Sequence, residues 1–330
     1  FPGGNPSSSA DINPIITYSD TGHFNVKLIA NFSGLSDTLE LTNYISVSNK
    51  NTTIKSGNWN SPETWGCLSI PTQNDSAIIA AGDTILLDAS QQIKRLYIEP
   101  GGSLLINDSS KTLIVGNDTI RTSELLSDGN LKVTNGVLKI NGKLNIANAS
   151  SFEMSGGKLI IDGNTGNEST SIPDGEHLFN VYTSANKFNF SGGTLQIINP
   201  PLGANSQTIN CSQNFGAATT LMFGDGVSTI ASNNPNGFGG NLMPSEIGKI
   251  IFDPATSQNN RIFKNLTPLI VRGRCEVRSG NFVQQEYLQI LDGTTINSGL
   301  VARYNFSNNV IDSSDNGNDG ITMNGAVFTT

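Results

Sequence analysis

The sequence predicts an all-β chain built around a parallel β-helix, right-handed as parallel crossovers prefer. Three observations lead there. Gly numbers 35 and Asn 41 of the 330 residues while charged residues make up only 14%, a composition suited to many short strands joined by tight turns. Between 137 and 163 four short alternating runs, "VLKING", "KLNIAN", "SFEMSG" and "KLIIDG", follow one another closely. A loose repeat also recurs: "MSGGKLII" (154–161), "FSGGTLQII" (190–198), "TNGVLKI" (134–140) and, more distantly, "RSGNF" (278–282).

The spacing of the runs sets the architecture. If Leu138, Leu144, Phe152 and Leu159 all point inward, the steps are 6, 8 and 7 residues, and the chain regains its starting side after 21. Three short strands per circuit of that length describe one coil of a β-helix. Inward pairs would be Leu138/Ile140, Leu144/Ile146, Phe152/Met154 and Leu159/Ile161, with Lys139, Asn145 and Glu153 outside. An antiparallel sandwich is the competing reading, but its turn signals usually come every 8 to 12 residues. Upstream pairs Leu96/Ile98, Leu104/Ile106 and Leu113/Val115 extend the coils, so the β-helix is expected over 51–298, with 164–186 and 199–247 as loops leaving the stack. Its first part, 51–75, holds both tryptophans, Trp59 and Trp65. A β-helix end exposes strand edges, and two large rings there are expected to cap the first coil. Stacking on sugars is the alternative and requires both rings to be exposed.

A net charge of −8 and a pI near 4.8 argue against nucleic acid or anionic lipid as partners. No run of 18 apolar residues is present, so no transmembrane segment is expected. Without an export signal at residue 1, composition alone leaves a cytosolic chain or the interior of a processed longer product. Cys67, Cys211 and Cys275 lie far apart in no metal-like spacing, and one disulfide would leave a thiol over. Alternation in "LIVRGRCEVRSG" places Val271, Cys275 and Val277 inside, making Cys275 a small core residue.

Resemblances add to this reading. The stretch "SGNWNSPETWGCLSIPTQNDSAIIAAGDTILLD" resembles a recurrent module of secreted Bacteroidetes proteins and is similar to the eight-glycine extracellular domain, a β-helical element. Residues 1–50, with N-P before "IITYSDTG", then "FNVKLIANFSG" and "TLELTNYISV", resemble the later half of a PKD-type immunoglobulin-like domain. Residues 299–330, "GLVARYNFSNNVIDSSDNGNDGITMNGAVFTT", are similar to the first strands of a LamG or concanavalin-like jelly roll. Together these resemblances imply a segment of a large extracellular or outer-surface polypeptide. Asp followed by Ser or Thr and an apolar residue, at Thr38, Ser76, Thr84 and Thr119, resembles the O-glycosylation tripeptide of the same bacteria.

Chemistry is sparse. His23 opens a strand, and His177 stands beside Asp174 and Glu176 without a partner at zinc spacing, so neither is expected to bind metal. No nucleophile elbow, phosphate loop or dinucleotide fingerprint is present. Asp312, Asp315 and Asp319 with Asn316 are oxygen ligands at short spacing that can bind calcium, yet the closing Glu of an EF-hand is lacking and a jelly-roll hairpin turn is the preferred account of them. Arg272, Arg274 and Arg278, with Lys264, are the candidates for holding an acidic glycan by charge-assisted hydrogen bonds. The leading expectation is a non-catalytic adhesin or stalk segment, exported by a type IX-like route, needing no cofactor and meeting glycans or cell-surface proteins. A polysaccharide lyase or glycosidase acting on acidic glycans is the rival. A third reading is a secretion substrate captured with its export partners.

Overall fold

A computed structural model of the chain describes residues 1–116, 123–163, 178–198, 209–228, 236–238, 244–255, 262–265, 268–279, 281–284, 287–292 and 294–296. Strands dominate it, and beyond residue 50 every inter-strand pairing between named strands is parallel. A seven-stranded parallel sheet is made by Lys50–Thr52, Ser76–Ile79, Arg95–Ile98, Ser123–Ser127, Gly142–Ile146, Phe179–Val181 and Ile209–Asn210. A second, larger sheet begins at Gly57–Asn58 and runs through Thr84–Leu86, Ser103–Ile106, Asn130–Val133 and Ser151–Ile161 to Thr294–Ile296. Its flank holds Gln91–Ile93, Thr112–Val115 and Val137–Ile140 as a third side of the coils. The fold is therefore an all-β parallel β-helix.

The expected circuit is present residue for residue. Leu138 pairs with Leu159 one coil later, and Leu144 and Phe152 occupy the two sides between them. The eight inward residues of that circuit, from Leu138 to Ile161, are each at most 1% exposed. Lys139, Asn145 and Glu153 remain partly exposed on the outside. Because register partners share a side, each inward residue lies on its counterpart in the next coil: Ile98 follows Ile79, Leu131 follows Leu104, and Ile140 follows Val115. Burying such a column removes about 1.5–3 kcal/mol worth of apolar side chain from water per large residue.

Ser151–Ile161 and Phe188–Ile197 explain the S-G-G repeat. The front half of Ser151–Ile161 pairs with Asn130–Val133 and its back half with Val137–Ile140, so one long strand spans two sides of the coil. The ladder between the two long strands slips around Ser155, where the chain bends. Gly157 (φ 69°) and Gly193 (φ 88°) stack there, and a Cβ on Gly193 would lie 2.8 Å from the Gly157 carbonyl oxygen. Only glycine meets both demands, a left-handed backbone and a neighbouring coil at backbone contact.

Two expectations are corrected. Residues 164–186 and 199–247 are not simply loops, because Phe179–Val181, Ile209–Asn210, Ala218–Gly224 and Glu246–Ile247 return to parallel sheets. Ala218–Gly224 still alternates, with Thr219, Leu221 and Phe223 inside, but a small polar residue at one inward position weakened the pattern. Residues 164–177, 199–208 and 299–330 lie outside the described residues, as do Thr119, His177, Asp312, Asp315 and Asp319.

Residues 1–47 form two further antiparallel pairs, Gly4–Asn5 with Thr17–Tyr18 and the longer ribbon of Gly22–Phe32 with Leu35–Val47. Gly22–Phe32 and Leu35–Val47 are joined by Ser33 (φ 48°) and Gly34 (φ 82°), a two-residue turn with both φ values positive that matches strand twist. A bulge at Asn43 (φ 54°) is held by its backbone N–H donating to Asn25 Oδ1 at 2.8 Å.

Close coil contact makes a specific forecast. A Cβ on Gly129 would lie 2.3 Å from the Gly102 carbonyl oxygen, whereas one on Gly82 (φ +86°) meets nothing within 4 Å. Urea unfolding should show Gly129→Ala costing roughly 2–4 kcal/mol and Gly82→Ala only about 1 kcal/mol, its backbone strain alone. Equal costs would contradict the stacking geometry.

Candidate functional site

The amino-terminal end of the β-helix is organised around the tryptophans. Trp59 takes its position from its backbone N–H, which donates to the Leu86 carbonyl at 2.8 Å. The Trp65 indole N–H donates to the Trp59 carbonyl at 2.8 Å, and the rings meet edge to face with centroids 5.0 Å apart. An antiparallel return, with Thr53 opposite Trp65 and Gly66 N–H donating to the Thr52 carbonyl, folds this segment onto the first coil. Both rings are fully buried and continuous with the apolar column. Sugar stacking therefore has no open indole face here.

The carboxy-terminal coils hold the arginines. Val271, Cys275 and Val277 are buried as their alternation indicates. Arg272, however, stands in the bend between Leu269–Val271 and Cys275–Val277, so the three arginines do not share one strand face. The Arg272 guanidinium donates to Glu246 Oε2, from Nε at 2.9 Å and also from Nη2. Arg278 donates to Glu276 Oε1 at 2.7 Å and to Asp253 Oδ2 at 3.1 Å, and Lys249 Nζ lies 2.8 Å from Glu276 Oε2. Arg274 is exposed and has no ion-pair partner among the described residues. An incoming acidic sugar must compete with protein carboxylates at two of the three arginines. Lys264 lies in Ile262–Asn265, on a different three-stranded sheet.

Sequence reasoning missed Glu246, Lys249 and Asp253 as the partners of this cluster. They lie more than twenty residues away in sequence, and only coil register brings them in. Hydrogen bonds from Lys249 and then Arg278 hold the Glu276 carboxyl below the usual carboxylate range.

Of the remaining candidates, Thr38 and Thr84 are exposed and Ser76 is partly so, at the start of a strand. His23 is exposed on the ribbon. Among the described residues no three His, Cys, Asp or Glu side chains gather as a metal site. Cys67 is exposed, whereas burial pushes the Cys211 and Cys275 thiols up to about 12.

Two measurements follow. A membrane-impermeant thiol reagent at neutral pH should modify Cys67 alone in the folded chain, with Cys211 and Cys275 reacting only after denaturation; labelling of all three at one rate would contradict their burial. For Glu276, a depressed folded value means that its stabilisation is present above the unfolded carboxylate value and is lost as pH falls through the folded one. Glu276→Gln should therefore cost up to about 1 kcal/mol near neutrality, after solvent screening, and nothing in strong acid, as read from unfolding midpoints against pH.

Comparison with known families agrees with this architecture. Residues 64–197 match the model of the G8 domain, from the short turn before Trp65 to the end of Phe188–Ile197. No curated protein and no solved structure matches the chain. No helix among the described residues is long and apolar enough to cross a membrane. The matched part, which starts beside Trp65 and winds through the S-G-G repeat, is under half of the chain, and the family it is similar to is an extracellular domain family.

Proposed function

We propose that this chain is a non-catalytic spacer within a large secreted or cell-surface polypeptide, an adhesin or stalk, whose β-helix holds neighbouring modules apart. The observation that carries this reading is the register itself: the larger sheet passes without a break from Gly57–Asn58 to Thr294–Ile296, each strand hydrogen-bonded to the next coil. A force along such a stack must break whole ladders, and a protease finds few segments that open locally. The G8 match supports placement outside the cell. The tryptophan pair is read as the cap that keeps the first coil from pairing with a foreign strand.

The finer features follow the resemblances. Residues 1–50 would belong to a PKD-like module and 299–330 to a LamG-like one, with export by a type IX-like route and O-glycans at Thr38, Ser76, Thr84 and Thr119. Partners would be glycans or proteins of the surface and the export machinery.

The rival, an enzyme acting on acidic polysaccharides, is disfavoured by the carboxylates that already occupy Arg272 and Arg278. Both readings meet one experiment. A membrane-impermeant amine reagent applied to intact producing cells should label exposed lysines of this segment, and the purified chain should leave uronate polymers intact. Unsaturated oligosaccharides released in proportion to the chain would end the non-catalytic reading, and labelling only after the cells are broken would end the surface one.

A further inference from the structure

Five Asn–Gly pairs occur in the sequence, and the structure describes the side chains of two, Asn135–Gly136 and Asn141–Gly142, which flank one strand of the same coil. They stand in opposite conditions. Asn135 is exposed, and its Oδ1 accepts the Gly136 N–H at 2.9 Å. Its side-chain carbonyl therefore lies against the backbone nitrogen that can close a five-membered ring with it. That nitrogen is also outside the ladder. The backbone donors on either side reach carbonyls of the previous coil, Thr134 N–H to Ile106 and Val137 N–H to Lys111, both at 2.9 Å, while Gly136 N–H turns to its own neighbour. Asn141 is 1% exposed, and among the described residues neither its Nδ2 nor its Oδ1 has a hydrogen-bond partner. Nothing there holds its carbonyl toward Gly142, and its amide is closed to water.

We propose that Asn135 is a site of spontaneous modification, where the chain closes on itself as a succinimide and reopens as aspartate or isoaspartate. Gly136 N bonds to Asn135 Cγ, the carbonyl π pair moves to Oδ1, and the proton the nitrogen carried ends on that oxygen, the atom it already faces. The intermediate then expels its amino group as ammonia, which takes the hydroxyl proton as the C=O re-forms. Water adds to one of the two imide carbonyls and a C–N bond breaks. Opening at the side-chain carbonyl gives aspartate, and opening at the main-chain carbonyl gives isoaspartate; water is the sole co-reactant. Gly136 has no Cβ to shield its nitrogen, and a carbonyl already held at hydrogen-bond distance lowers the orientational cost of ring closure. Isoaspartate carries the main chain through one extra methylene, for which these coils leave no room. A Cβ on Gly136 would lie 2.5 Å from the Asp108 carbonyl oxygen of the coil before, and one on Gly157 of the coil after would lie 2.6 Å from the Gly136 carbonyl oxygen. The longer chain must push these backbones apart, so the modification loosens the stack. This inference is independent of the spacer reading.

Ageing the full chain in mildly alkaline buffer, followed by digestion, peptide mass spectrometry and enzymatic methylation of isoaspartyl residues, tests it. In the folded chain Asn135 should react at least about tenfold faster than Asn141. In urea the two should react at similar rates, since unfolding gives both the same freedom. Equal rates in the folded chain, or an Asn135 that reacts only in urea, would overturn the proposal. Aged wild type should also unfold at lower urea than fresh protein. Asn135→Gln, whose longer side chain closes the corresponding six-membered ring far more slowly, should keep its midpoint on ageing. Equal midpoints in aged wild type and aged Asn135→Gln would contradict a loosening of the stack at this turn.

Discussion

Everything in the β-helix depends on stacking in register: an inward side chain in one coil must find its counterpart directly below it, at the ~4.8 Å spacing of adjacent strands. The core is narrow, so each large residue is buried chiefly by the coils before and after it. Leu104 lies between Ile85 and Leu131, and Leu138 between Leu113 and Leu159. A slip by one residue would turn an entire side outward. The same constraint dictates the glycines, because the bends of successive coils touch through their backbones and leave no volume for a Cβ at Gly129 or Gly193.

The register also governs the surface. Lys132 meets Glu153 at 2.8 Å because they are ladder partners, and Asn130 links Ser103 to Ser151 through hydrogen bonds along the same side. The charge cluster of Lys249, Glu276, Asp253 and Arg278 is another product of this geometry. Residues widely separated in sequence become neighbours on the outer wall, where Lys132, Lys249, Arg272 and Arg278 each meet a carboxylate of an adjacent coil.

Much of the fold was legible because the coil is a local pattern. Three alternating runs and their turns fit in 21 residues, so Leu138, Leu144, Phe152 and Leu159 could be placed from spacing alone. The coils beyond 164 were harder to read because their lengths change: Phe152 is followed in its column by Phe188, and the returning strand at Phe179–Val181 includes a buried Asn180 that breaks the alternation. The candidate site was less legible still. That Arg272 would find Glu246 depends on how many residues lie in the intervening turn of the helix, which no local pattern encodes. The strands of residues 1–47 were legible through the resemblance to a PKD-type domain, whereas the turn at Ser33 and Gly34, the bulge at Asn43 and the exposure of the ribbon's apolar face emerge only from the structure.

The most direct test is a distance ruler along one outward column. Asn58, Leu86, Leu105, Lys132, Glu153 and Asn189 are successive ladder partners. Spin labels paired by pulsed electron resonance at Asn58 and Glu153 should be separated by about 19 Å, and at Asn58 and Asn189 by about 24 Å, one strand spacing more. Distances that fail to grow by that step, or that spread over many values, would show that the windings do not stack in register.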